Sequence, residues 1–127
     1  MSSSGQHEPK LSVIVPAFNE EGTVVEVIRK LLRVPSLLEI IVIDDASTDL
    51  TFSVVQSLQP TIPHLRLLRH PQNMGKTAAL KTGFAASVGD IVIVQDADLE
   101  YDPSEIQSVI QPIVDGLADV VYGSRFL

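Results

Sequence analysis

Asp96, Asp98 and Glu100 alternate at spacing two just after the apolar run Ile91-Val-Ile-Val94. If the chain stays extended there, all three side chains project to one side. Carboxylates brought together repel one another unless a cation sits between them. An all-oxygen set suits Mg2+ or Mn2+, ions that keep some of their water and also grip substrate phosphates. The bland alternative is a solvated acidic turn. Two more stretches carry acidic residues after apolar runs: Pro16-Ala-Phe-Asn-Glu20 and Asp44-Asp45-Ala-Ser-Thr-Asp49. Asp45 could accept hydrogen bonds from a base or a ribose. Equally, the Asp44–Asp49 run could be a helix-capping turn, with Ser47, Thr48 or Asp49 as the cap. Glu20 at a helix start suits the helix dipole, a role compatible with ligand contact.

Other chemistries fit less well. Asn73-Met-Gly-Lys-Thr77 is close to a phosphate-binding loop, but His70 stands where the first glycine of that motif belongs. No G-x-G-x-x-G follows the first apolar run, so the dinucleotide fingerprint is missing. His7, His64 and His70 lack ligand spacing, and the absence of cysteine removes thiol catalysis and Cys-ligated zinc. A phosphoacceptor receiver domain would use Asp44 and Asp45 for metal and Asp96 for the phosphoryl group. That scheme begins at the strand bearing the acidic pair, leaving residues 11–38 without a place, and it lacks a lysine after the final strand.

The pattern that must position these residues is a repeat of short β-branched runs and longer amphipathic stretches. Strands are expected at Leu11–Val15, Ile40–Ile43, Leu65–Leu68, Ile91–Val94 and Asp119–Tyr122. Helices are expected over about 24–32, with Val24, Val27, Ile28, Leu31 and Leu32 on one face, and over about 49–58 and 76–87. A further helix is expected from Asp102-Pro-Ser-Glu105, bent or shortened by Pro112. Near-continuous apolar strands alternating with helices make an α/β fold, a doubly wound and mostly parallel sheet with helices on both faces. Ligands in such folds bind beyond the carboxyl ends of the strands, where the acidic stretches fall. Residues 1–10 are polar and are expected to form a flexible tail, with residues 11–127 as one domain.

The 127 residues include 9 basic and 16 acidic side chains, for a net charge of -7. With 5% aromatic residues, this balance argues against nucleic-acid binding. At 45% hydrophobic the chain can bury a core, yet no apolar run approaches the ~20 residues of a membrane span.

Val13-Ile-Val-Pro-Ala-Phe-Asn-Glu20, Ile41-Val-Ile-Asp-Asp-Ala-Ser-Thr-Asp49, Asn73-x-Gly-Lys76 with Gly83, Asp96-Ala-Asp-Leu99 and Val121-Tyr-Gly-Ser-Arg-Phe126 resemble, in order, the motifs of family 2 glycosyltransferases. The subgroup they are most similar to is the dolichyl- and polyprenyl-phosphate mannosyl- and glucosyltransferases. The resemblance implies a Rossmann-like GT-A fold, a nucleotide-sugar donor (GDP-mannose or UDP-glucose), Mg2+ or Mn2+, and an inverting transfer to a lipid phosphate. By it, Pro16, Phe18 and Glu20 would touch the nucleoside, and Ile43 and Asp45 the base. Asp96 and Ala97 would meet the ribose or diphosphate, and Arg125 the donor phosphates. Asp96 and Asp98 would be the catalytic pair and, with Glu100, the metal ligands. Ala46 stands where the family commonly has glycine.

Relatives usually continue for roughly another half of the catalytic domain, so the chain is expected to be truncated after its fifth strand. It would then be either the donor-binding part of an enzyme or a non-catalytic remnant completed by a partner chain or a further C-terminal segment. A cytoplasmic location is expected, with full-length relatives on the cytoplasmic face of a membrane. Given the net charge of -7 and no basic amphipathic stretch, membrane contact is not expected through residues 1–127.

Overall fold

The computed structural model describes residues 9–97 and, as backbone, 120–122. Asp98, Glu100, Arg125, the helix expected from Asp102 with its Pro112, and the first eight residues of the expected tail lie outside the described residues. The elements are β1 (Leu11–Ala17), α1 (Val24–Leu31), β2 (Leu37–Asp44), α2 (Thr51–Leu58), a 3-10 turn (Gln59–Thr61), β3 (Leu65–Arg69), α3 (Lys76–Ala86) and β4 (Ile91–Val94). β1 to β4 form a parallel sheet in the order β3-β2-β1-β4, and Val120–Tyr122 (β5) runs parallel outside β4, with Val120 opposite Val92.

Alternation along the strands divides the core in two. Leu11, Val13, Val15, Ile40, Val42, Leu65 and Ile93 pack with the α1 stripe Val24, Val27, Ile28 and Leu31 and with Val55 of α2. Ile14, Ile41, Ile43 and Val94 pack on the opposite face with Ala79 and Leu80 of α3. The sheet is therefore covered on both sides, which is why its strands read as unbroken apolar runs. Among the described residues no helix is long and apolar enough to cross a membrane.

β1 and β2 are longer than the apolar runs suggest. β1 continues through Pro16 and Ala17, and β2 begins at Leu37 and takes in Asp44. Proline is tolerated in a central strand because of where the ladder ends. Ile14 accepts from Gln95 N–H and Ala17 from Asp45 N–H, so Pro16 faces the β4 side. Pairing with β4 stops at Ile14–Val94, so the missing N–H at Pro16 takes nothing from the ladder. Lys10, the last residue of the expected tail, is tied to the start of β4: its N–H donates to Asp90, and its carbonyl accepts from Asp90 and Ile91.

α3 lies close to the sheet because Gly83 faces Ile14. A Cβ at Gly83 would stand 2.5 Å from Ile14 Cγ2 and 2.9 Å from Cδ1, and Ile14 is fully buried. Gly83→Ala is accordingly expected to destabilise by about 1–3 kcal/mol, because overpacking outweighs the gain of up to ~1 kcal/mol in helix propensity. Urea unfolding measures it, and a midpoint raised above wild type would refute the close-packing account.

Candidate active site

The strand order reverses between β1 and β4, and the loops leaving their carboxyl ends part there. A cleft of about 260 Å³ opens at this point, lined by Pro16, Ala17, Phe18, Glu20, Asp45, Lys76, Ala79, Asp96 and Ala97. Six expected substrate-binding residues (Pro16, Phe18, Glu20, Asp45, Asp96 and Ala97) thus share one wall-and-floor arrangement. Ile43 is not among the lining residues: its side chain is fully buried in the core under α3. Its place one residue before Asp44-Asp45 puts it on the α3-covered face of the strand rather than at the strand's end.

The β1–α1 loop is tied to the β2–α2 loop by Asn19, at φ 54°. Asn19 Oδ1 accepts from the N–H groups of Thr48 at 2.8 Å and Asp49 at 3.2 Å, while Asn19 N–H donates to Ser47 Oγ at 2.9 Å. Glu20 N–H donates to Thr51 Oγ1, and Glu21 Oε1 accepts from Leu50 N–H. On the other side, Thr23 Oγ1 lies 2.8 Å from the carbonyl of Ala97 and 3.1 Å from Glu20 Oε2, so its one proton is shared between the two loops. Of the candidate caps none sits at the cap position, which is Leu50; Asp49 lies one residue before it, and its Oδ1 accepts from the backbone and hydroxyl of Thr51 at the start of α2.

Asp44 and Asp45 part company at the end of β2. Asp44 is fully buried, and its Oδ2 faces Arg69 Nε at 3.3 Å. Asp45 faces the cleft. Its Oδ1 accepts from His70 Nδ1 at 2.8 Å and Met74 N–H at 2.9 Å, and its Oδ2 from Gly75 N–H at 2.9 Å. Burial by itself would raise the Asp45 carboxyl, but the bonds from His70, Met74 and Gly75 outweigh it and hold the group below the ordinary carboxylate range. Gly75 takes φ 92° and ψ 164° just before α3, a conformation open to glycine and strained for any side chain. That turn aims Lys76 across the cleft, where its Nζ donates to Asp96 Oδ1 at 2.6 Å.

A cleft with an ionised Asp45, and with Asp96 and Lys76 also on its lining, could hold a ligand with a polar base and an anionic tail. The glycosyl transferase family 2 profile matches residues 12–127. The chain belongs to that family. It is 34% identical over 120 residues to the dolichol-phosphate mannosyltransferase of Pyrococcus furiosus, covering 93% of this chain and 34% of that protein. It is also 34% identical over 117 residues to the undecaprenyl-phosphate 4-deoxy-4-formamido-L-arabinose transferase of Salmonella paratyphi B, covering 88% and 36%. Among solved structures, the mannosyltransferase PcManGT from Pyrobaculum calidifontis, in complex with GDP-Man and Mn2+, superposes with a TM-score of 0.67. Its identity is 34%, over 73% of this chain and 28% of that one. The chain thus spans about a third of the length of the curated relatives it matches.

Within this family 2 domain, Lys76 lines the cleft, and Asn19, Thr23 and His70 bond to the loops and the carboxylate around it, although no site role was read for them in the sequence. Lys76 and Asn19 sat inside recognisable motifs. His70 could not be found by ligand spacing, because its partners are Asp45, 25 positions away, and Thr82, 12 positions on.

Proposed function

We propose that this family 2 domain binds the nucleotide-sugar donor, GDP-mannose or UDP-glucose, of a transferase that delivers a hexose to a dolichyl or polyprenyl phosphate with inversion. The observation that supports it most is the cleft at the β1/β4 switch point, with Asp45 and Asp96 both on its wall. In this reading Phe18 and Pro16 flank the nucleoside, Asp45 accepts a ring N–H, and Lys76 and Arg125 offset charge on the diphosphate. The acceptor phosphate oxygen attacks the anomeric carbon, and the bond to the β-phosphate oxygen breaks with its electron pair. The acceptor is already an anion, so no general base is required.

The residues present are compatible with a divalent cation. Asp96 contributes an oxygen at the cleft, with Asp98 and Glu100 at spacing two beyond it. Among the described residues, no three acidic, His or Cys side chains converge as a metal site. A cation held by Asp96, Asp98 and Glu100 would supply positive charge to the leaving diphosphate.

Titration calorimetry with GDP-mannose and UDP-glucose, each with Mn2+ and with chelator, tests this. One donor is expected to bind about ten-fold or more tightly with metal, and Asp96→Ala to erase that difference. Equal affinity after chelation would remove the metal role. Absence of binding by either donor would remove the donor reading.

A further inference from the structure

His70 is buried at the floor of the loop that carries Met74 and Gly75, and both of its ring nitrogens are used. Nδ1 lies 2.8 Å from Asp45 Oδ1, and Nε2 lies 2.8 Å from Thr82 Oγ1 on α3. Its own N–H donates to the carbonyl of Asp44, so the backbone holding the ring is anchored to the strand that carries Asp45. No step of sugar transfer uses this imidazole. Yet a buried polar side chain with both nitrogens bonded and one of them aimed at the cleft carboxylate has a definite consequence for that carboxylate.

Each carboxylate oxygen offers about two acceptor directions. Oδ1 of Asp45 spends both, on His70 and Met74, and Oδ2 spends one on Gly75. One direction remains, on Oδ2. The carboxylate cannot rotate to offer Oδ1 without breaking the His70 and Met74 bonds together. We infer that His70, steadied by Thr82, is a positioning residue that makes Asp45 read a single ring N–H of the donor base. The inference rests on the donor-binding reading and adds to it how the base is selected. A base that offers one ring N–H at the cleft satisfies the remaining acceptor. One methylated at that nitrogen does not, and brings a methyl group against a buried carboxylate.

Calorimetry on the full chain with UDP and GDP, and with their N3-methyluridine and N1-methylguanosine counterparts, tests this. The nucleotide that binds is expected to lose about ten-fold or more in affinity on ring methylation. His70→Ala is expected to weaken the unmethylated nucleotide about ten-fold and to bring the methylation ratio close to one, because Asp45 is then free to turn. His70→Asn keeps an N–H donor near the Nδ1 position and is expected to restore most of both quantities. Thr82→Val leaves the ring in place without its second partner and is expected to lower the methylation ratio partially. This variant serves where His70→Ala folds poorly by circular dichroism. Pyrophosphate, which has no base, should bind all four proteins alike.

A folded His70→Ala or Thr82→Val that keeps the wild-type methylation ratio overturns the role of His70 and leaves donor binding standing. A wild-type chain that binds neither UDP nor GDP overturns both.

Discussion

Asp45→Ala is expected to weaken nucleotide binding by about 100-fold, and to weaken the free nucleoside by a similar factor. The size of the effect follows from what the carboxylate holds. It takes N–H bonds from Met74 and Gly75 and from the His70 ring, and it is the acceptor that faces the cleft from the end of β2. Removal deletes the charge that meets the base and leaves three donors without their acceptor. The turn before α3 then loosens, and with it the placement of Lys76. An unpaired buried donor costs about 1–3 kcal/mol, so a drop of a few kcal/mol in folding stability is expected alongside. The two effects separate by experiment: urea unfolding gives the stability, and calorimetry at a denaturant-free temperature well below the transition gives the affinity. Asp96→Ala is the contrast, because it stands at the other end of the cleft. It should leave the free nucleoside unaffected while weakening the diphosphate. If Asp45→Ala and Asp96→Ala weaken free nucleoside equally, the division of the cleft into base and diphosphate ends is wrong.

The positions of Asp45 and Asp96 were partly legible in the sequence because of how a parallel sheet concentrates information. The middle of each strand is apolar on both faces, so a carboxylate beyond an apolar run stands out in the pattern. Asp45 and Asp96 stood out for that reason, and the fold rule for the switch point put both at one edge of the sheet. Pro16 stood at the same edge only as the first residue after an apolar run; that β1 continues through it to Ala17 came from the structure. The face of α1 was readable as periodicity except for Leu32, which follows the helix and is exposed because the chain turns there.

What stayed hidden depends on pairs distant in the chain. The resemblance singled out Asp45 over Asp44 without a physical reason; the phase of β2 supplies one, sending Asp44 toward Arg69 and Asp45 toward His70. Ile43 was assigned to the base by likeness to the family, whereas strand alternation puts its side chain under α3. Ala46 is a case where the family pattern carried real conformational content. It sits at φ 64°, the left-handed region that glycine occupies without strain. The clamp made by Asn19 likewise has no local signature, because its partners are backbone groups of Thr48 and Asp49 about thirty positions later.

Glu39→Ala is expected to destabilise the fold by about 3 kcal/mol, a large share of the 5–15 kcal/mol typical of a domain. Glu39 is buried near the amino ends of the strands, at the opposite edge of the sheet from the cleft. Its Oε2 accepts from Ser12 Oγ at 2.6 Å and Val88 N–H at 2.8 Å, and its Oε1 from Arg66 Nη1 at 2.8 Å. Ser12 Oγ in turn accepts from Gly89 N–H, so one carboxylate joins β1, β2, β3 and the turn into β4. Burial alone would raise its pKa, but the bonds from Ser12, Val88 and Arg66 hold it below the ordinary glutamate value of 4.5. A carboxyl whose folded pKa is lowered stabilises the fold above its unfolded pKa, and that contribution is lost as pH falls through the folded value. Wild type should therefore lose stability as pH drops below 4.5, and Glu39→Ala should lose less over the same interval. Urea unfolding at a series of pH values from about 6 to about 3 measures both curves. The curves should approach each other toward the acid end, where the wild-type carboxyl is protonated and its charge no longer contributes. Curves separated by a constant amount throughout would show that Glu39 acts by packing alone, and that its charge does not hold the sheet to the β4 turn.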